Sequence, residues 1–199
     1  MTASVAKLRR ESADCRRCPL WKLATQTVFG EGATGALMLV GEQPGDVEDR
    51  EGKPFVGPAG RLLHELLEEA RIAEEQVYLT NAVKHFKWRP KGKRRIHDKP
   101  SWSEIDACGH WLDLELAAVR PKLVVCLGAT ATQRLVGRSA RIAPLRGQPV
   151  EIGGGIPALV TIHPSAVLRA GEDRSARRAE LLEDLRLAHD LLEQHAAAA

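Results

Sequence analysis

Residues 37–60 read LMLVGEQPGDVEDREGKPFVGPAG. The first five, Leu37 to Gly41, are continuously apolar rather than alternating, which suits a strand covered on both faces. The rest is a loop punctuated by glycines at 41, 45, 52, 57 and 60 and prolines at 44, 54 and 58. A helical pattern follows at once, with apolar spacing of three and four in Leu62, Leu63, Leu66, Leu67 and Ala70. Working outward, three more apolar runs have the same character: Val77 to Val83, Leu123 to Gly128 and Ala158 to Ile162. Helical patterns separate and follow them, through Trp111, Leu112, Leu114, Leu116 and Val119, and through Leu181, Leu185, Ala188 and Leu192. The alternation predicts an α/β fold, a three-layer α/β/α sandwich around a four-stranded parallel sheet. A chain of 199 residues builds one such core, so residues 1–199 read as a single domain.

In such sheets ligands bind beyond the carboxyl ends of the strands. The four strands here run on into GEQPGD, TNAVKH, GATAT and HPSAV, the most polar, Gly-rich or His-bearing junctions of the chain. The first loop is long for a strand-to-helix connection, and long ordered loops usually carry function. It has neither a Walker Gly-Lys-Ser/Thr nor a G-x-G-x-x-G pattern. Gly57 to Gly60, opening a helix, are placed to donate backbone N–H groups to a phosphate.

The charge is unevenly spread. KHFKWRPKGKRRIHDK, residues 84–99, holds eight Lys or Arg against one Asp, so the remainder is net acidic although the chain carries +3. A concentrated cationic run with Phe86, Trp88 and Ile96 interleaved predicts a DNA contact, where a solvated loop is the ordinary alternative. The chain has no stretch of 18 apolar residues and MTASVAKLRRESADC has no signal-peptide core, which predicts a cytoplasmic protein without membrane contact. In that compartment the C-x-x-C spacing of Cys15 and Cys18 points to metal rather than to a disulfide.

The segment GEQPGDVEDREGKPFVG, the strand end TNAVK and the segment HPSAVLR together resemble three ordered motifs of the family-four uracil-DNA glycosylases, over Cys15 to about Leu192. The resemblance implies a uracil-DNA glycosylase fold and a partner in uracil-containing DNA, single-stranded by preference, met by a monomer. It assigns Phe55 to stacking on a flipped-out uracil and Asn81, which offers both donor and acceptor, to reading the base edge. Gly41 joins them as a substrate-binding position. His163 is placed to stabilise the departing uracil anion, Glu42 to orient water or an imidazole, and Asp46 to assist. Taken singly, a core Phe, a turn Asn, a surface His and surface carboxylates are the ordinary readings of these residues.

Family members hold a [4Fe-4S] cluster on four ligands. The matching positions are Cys15, Cys18, His85 and Cys108, where His85 stands in the place of a cysteine. Either His85 ligates iron, or the cluster is incomplete, or zinc replaces it. His110 is a weaker rival ligand, and Cys126 inside LVVCLG reads as a buried core thiol.

Two departures from ordinary family-four sequences agree with each other. KRRIH, Lys93 to His97, resembles the insertion of the UdgX class, which crosslinks to the DNA it processes, and the same class carries the Gln43 of GEQPG. The resemblance makes His97 the nucleophile toward the sugar carbon after uracil departs. It has Arg95 pin a flexible loop against the phosphate backbone, with Glu42 orienting the imidazole. Two other classes compete with this reading: a non-catalytic module that binds uracil-containing or single-stranded DNA around a structural cluster, and a redox-sensing regulator. No helix-turn-helix pattern supports the regulator.

Overall fold

A computed structural model describes residues 4–197. In chain order the elements are α1 (Val5–Ser12), β1 (Glu31–Gly32), β2 (Leu37–Gly41), α2 (Asp46–Glu51), α3 (Pro58–Glu69), β3 (Val77–Asn81), β4 (Trp88–Lys91) and β5 (Arg94–His97). They continue with α4 (Trp102–Val119), β6 (Leu123–Leu127), α5 (Ala129–Leu135), α6 (Ile142–Leu145), β7 (Val150–Ile152), β8 (Ile156–Thr161), α7 (Pro164–Leu168) and α8 (Arg174–Ala197).

The expected four strands form the parallel centre of the sheet, in the order β3-β2-β6-β8. The sheet is wider than the sequence implies. Two short antiparallel strands, β1 beside β3 and β7 beside β8, extend it to six. β1 is two exposed residues long and β7 only three, of which Ile152 alone is buried, so neither leaves an apolar run to read.

Both faces of the central strands are buried, which explains their lack of alternation. Leu37, Leu39, Val125 and Leu159 point to one side, where Leu63 and Leu66 of α3, Val167 of α7 and Leu181 and Leu185 of α8 cover them. Met38, Val40, Val124 and Val160 point to the other, against Leu112 and Val119 of α4 and Ala131 of α5. The chain leaves β2 in one direction for β3 and is flanked on the other side by β6, so the strand order reverses between β2 and β6. Their carboxyl ends, Gly41 and Leu127, therefore open the crevice that α/β sheets use for ligands.

The basic stretch differs from the expected flexible loop. Trp88–Lys91 and Arg94–His97 pair antiparallel, with Trp88 opposite His97 and Lys91 opposite Arg94. Gly92, at φ +58°, supplies the left-handed turn residue that a tight hairpin needs. Strand alternation then sorts the run into two faces. Trp88, Pro90, Arg95 and His97 share one, and Arg89, Lys91, Arg94 and Ile96 share the other.

Candidate active site

Gly41 ends β2 next to a cavity of ≈ 710 Å³ that lies between the first loop, the ends of β6 and β8, and His97, and whose lining begins at Glu42. A Cβ on Gly41 would stand 2.4 Å from Asn81 Oδ1, 2.8 Å from Phe55 Cζ and 3.4 Å from His163 Nε2. The three side chains thus converge on the one backbone position that leaves room for them. Phe55 holds a left-handed backbone at φ 55°, uncommon for an aromatic residue and of the kind kept at functional sites. Gly60 makes that bend possible, because a Cβ there would meet the Phe55 carbonyl oxygen at 1.8 Å. The Phe55 and His163 rings lie nearly parallel, with centroids 6.2 Å apart.

His163 caps the N-terminus of α7, and its Nδ1 accepts a hydrogen bond from the Ser165 N–H at 3.1 Å. A ring nitrogen that accepts carries no proton, so the neutral ring presents Nε2–H toward the cavity. Burial pushes the His163 pKa down to about 4, so that neutral form prevails at physiological pH.

Glu42 follows Gly41 directly. Its Oε1 lies 3.3 Å from His97 Nε2, and Thr130 Oγ1 donates to its Oε2. Burial alone would raise the Glu42 carboxyl, but the contacts with His97 and Thr130 outweigh it and hold the group below the ordinary range. Thr130 lies in the polar GATAT junction at the end of β6. That junction marks the place in the sequence without marking the residue.

Gln43 is buried and spans the base of the hairpin. Its Nε2 donates to the Lys87 and Asp98 carbonyls at 3.1 and 3.0 Å, and its Oε1 accepts from the Lys87 N–H at 3.1 Å. Lys87 and Asp98 flank β4 and β5, so one amide fixes both ends of the hairpin that carries His97.

Arg95 does not face the solvent side where phosphate would lie. Its Nη1 donates to Asp49 at 2.7 Å and to Thr25 Oγ1 at 3.2 Å, its Nε pairs with Asp46, and the guanidinium sits 5.5 Å from the Phe86 and Trp88 ring centres. Alternation puts Arg95 on the inner face of the hairpin, where the buried Asp49 claims it. Asp46 is thereby committed to Arg95 and Arg50 rather than to a water or an imidazole, although it lines the cavity.

The phosphate role read into the glycine-rich loop also changes. The Gly57 N–H donates to Glu48 Oε1 at 2.9 Å and the Gly45 N–H to Glu48 Oε2 at 3.1 Å, so Glu48 draws the two ends of the loop together. The eight cations of the basic stretch separate in the same way. Lys84 is fully buried, Lys87 pairs with Glu104 at 3.0 Å, and Arg95 is held by α2. Arg89, Lys91, Lys93, Arg94 and Lys99 are exposed. Lys99 and Arg169 line the cavity, and neither stands out in the sequence.

Cys15, Cys18, His85 and Cys108 are all buried. A hydrogen bond from Cys108 is the main cause that brings Cys18 down to about 5, against burial and with help from His85. Cys108 is correspondingly pushed up by that shared proton and by burial. His85 Nε2 is 3.1 Å from Thr27 Oγ1, while its Nδ1 is buried with no partner. Cys15 Sγ accepts from Trp111 Nε1 at 3.1 Å. Cys18 and Cys108 beside a buried imidazole with an unpartnered nitrogen have the donor chemistry of a metal or cluster site. Among the described residues no three His, Cys, Asp or Glu side chains converge on one point as a single-ion site requires. His110 is exposed, and burial raises the Cys126 thiol to about 12, as for an inert core residue. Among the described residues no helix is long and apolar enough to cross a membrane.

Similar sequences occur among known proteins. The chain is 40% identical over 182 residues to a type-4 uracil-DNA glycosylase of Thermotoga maritima, covering 90% of each protein. It is 37% identical over 173 residues to one of Archaeoglobus fulgidus, covering 83% of each. A Pyrobaculum aerophilum type-4 uracil-DNA glycosylase matches at 35% over 187 residues, 90% of each chain. The profile of the Uracil DNA glycosylase superfamily matches residues 29–186, and the chain belongs to that superfamily.

Proposed function

We propose that the protein is a uracil-DNA glycosylase that ends its reaction bonded through His97 to the sugar it has exposed. The observation that carries the first half is the convergence of Asn81, Phe55 and His163 above Gly41. A planar base slides against Phe55, the Asn81 amide pairs with its edge, and Nε2–H of His163 donates to the carbonyl oxygen on which negative charge gathers as the glycosidic bond breaks. A donor already in place for charge that appears only in the transition state lowers the barrier without reorganisation. Ionised Glu42 steadies the cationic sugar and orients what attacks it.

The second half rests on Glu42 and His97. Departure of uracil breaks the bond between N1 and the sugar C1′ and leaves C1′ electron-poor. The lone pair of a neutral His97 imidazole then forms a nitrogen–carbon bond to C1′, and the proton that the imidazole gives up balances the one taken by the uracil anion. A fastened hairpin brings the nucleophile beside the carbon ahead of water. The exposed face of the hairpin, with Arg89, Lys91 and Arg94, supplies the attraction to phosphate. The partner in this reading is single-stranded uracil-containing DNA, met by a monomer.

Cys15, Cys18, His85 and Cys108 have the donor chemistry of a [4Fe-4S] cluster, for which the unpartnered His85 Nδ1 would be the fourth donor. The cluster would act as a structural tie between the N-terminal segment, the exit of β3 and α4, and it supplies no step of the excision. Incubation with a uracil-containing single-stranded oligonucleotide tests the whole reading. Free uracil and a denaturation-resistant adduct are expected, whereas DNA retained with its uracil intact would make the protein a binding module instead.

A further inference from the structure

Below Asn81, on the side of the sheet away from the cavity, lies a polar cluster with no part in the reaction described above. Lys84 and Glu115 are both fully buried and paired. Glu115 also accepts from the Gly30 N–H at 3.0 Å, from the Tyr78 hydroxyl at 2.9 Å and from Thr80 Oγ1 at 3.0 Å. Lys84 Nζ, besides Glu115, donates to Thr80 Oγ1 at 2.7 Å and to the Asn81 carbonyl at 2.7 Å. All three ammonium protons are therefore used, and the carboxylate is saturated. A buried ion pair gains little stability over apolar residues of equal size, so stability alone is a weak reason to keep one here. Its geometry offers another. The one contact that Lys84 makes toward the site goes to the backbone of Asn81, the last residue of β3, beyond which the pairing continues only through the Ala82 and Val83 N–H groups, which donate to the Gly41 and Glu42 carbonyls at 2.9 Å each.

We infer that Lys84 is a positioning residue for base excision: its buried ammonium, fixed by Glu115, holds the Asn81 carbonyl so that the Asn81 amide meets the base edge at the right place. The inference rests on the reading of Asn81 as the base contact. Lys84 also donates its backbone N–H to Cys108 Sγ at 3.2 Å, so the same residue touches a candidate cluster ligand through its main chain. Side-chain substitutions leave that second contact in place.

The test uses the full chain with Lys84→Met, and with Lys84→Met combined with Glu115→Gln, which leaves no unpaired buried charge and preserves acceptors for Gly30 and Tyr78. Tyr78→Phe is the comparison, because it weakens the same network without removing any bond that Lys84 makes. Uracil release is followed in a single turnover at saturating enzyme, alongside thermal midpoint and affinity for uracil-free DNA. Displacement of a reacting group by about 1 Å costs on the order of 100-fold, so both Lys84 variants should lose about that factor in rate. Their affinity for uracil-free DNA should be unchanged, and Tyr78→Phe should lower the midpoint but not the rate. A folded Lys84 variant that releases uracil at the wild-type rate overturns the inference. So does a Tyr78→Phe rate that falls as far as that of the Lys84 variants, since the cluster would then be merely structural. Wild-type protein that releases no uracil would instead sink the underlying reading of the site.

Discussion

Glu42 Oε1 lies 3.3 Å from His97 Nε2, joining the end of a central strand to a hairpin that begins beyond the next one. The carboxylate sits at the floor of the cavity and the imidazole at its rim, so the contact stretches from where a sugar would be steadied to where it would be attacked. His97 is half-exposed, and Phe86 lies under it with ring centres 6.3 Å apart. Replacing His97 with Ser should therefore abolish the covalent adduct on uracil-DNA while uracil release continues with turnover. Gel electrophoresis under denaturing conditions and release of labelled base report the two separately. An adduct that survives in His97→Ser, mapped by mass spectrometry to another residue, removes His97 as the nucleophile.

Gln43 should govern the adduct more than the excision. It touches the hairpin ends and not the point of convergence above Gly41, so Gln43→Ala loses three hydrogen bonds worth roughly 1–3 kcal/mol in all, from the hairpin alone. The expected result is faster amide exchange across residues 88–97 and slower adduct formation, with the rate of uracil release close to wild type. Equal losses in both rates would show that Gln43 serves the base pocket instead.

These assignments also show what the sequence carried. Buried strands declared themselves because Leu37 and Met38 alternate between two covered faces and both must be apolar. Glu42, Phe55, Asn81 and His163 entered through the resemblance of their motifs, and the fold sets each at or beyond the carboxyl end of a central strand, where such sheets collect ligand contacts. The basic stretch misled through its count of charges. Summed charge does not reveal that strand alternation turns Arg95 inward or that Glu115, far along the chain, claims Lys84. Thr130 and Glu48 were missed for a related reason. A hydroxyl or carboxylate in a polar loop acquires meaning only from the partner it meets.

Sorting the cations yields a direct test. Charge reversal at Lys91 and Lys93, both exposed, should weaken DNA binding and flatten its dependence on salt, because fewer counterions are released. Arg95→Ala should leave that slope unchanged and destabilise the fold instead, by roughly 2 kcal/mol, since it strips the buried Asp49 of its cation. Binding titrations at several salt concentrations, paired with denaturant unfolding, separate the two. A reduced salt slope in Arg95→Ala would place that guanidinium on phosphate after all.

Iron content tests the four buried donors. Purified protein should be brown, with iron and sulfide in equal amounts, and Cys18→Ser should lose the colour together with thermal stability, because the tie between the N-terminal segment and α4 is cut. Stoichiometric zinc without iron would exclude the cluster. His85→Cys is the informative companion, and it should retain the colour while shifting the absorption spectrum, as expected when thiolate replaces imidazole on one iron.

The state of His163 makes the pH dependence of excision specific. Burial lowers its pKa from 6.5 to about 4 in the folded protein, while the unfolded chain keeps the ordinary value. Between those two pH values the unfolded chain binds a proton that the folded protein does not, so this residue costs stability progressively as pH falls from 6.5 toward about 4 and contributes no slope above 6.5. His163→Gln should flatten the stability profile across that window, as measured by denaturant unfolding at each pH. Glu42, held below the ordinary carboxylate range, adds a loss at lower pH still, in the same direction. For the reaction, the neutral ring with Nε2–H is the donor on both sides of 6.5. Uracil release in the His97→Ser background, where no second site histidine contributes, should then be flat from about pH 6 to about pH 8, the range in which an ordinary histidine titrates. An inflection near neutrality that disappears in His163→Gln would mean that the protonated ring is the working form, and the electrostatic role argued for Nε2–H would have to be replaced by proton donation.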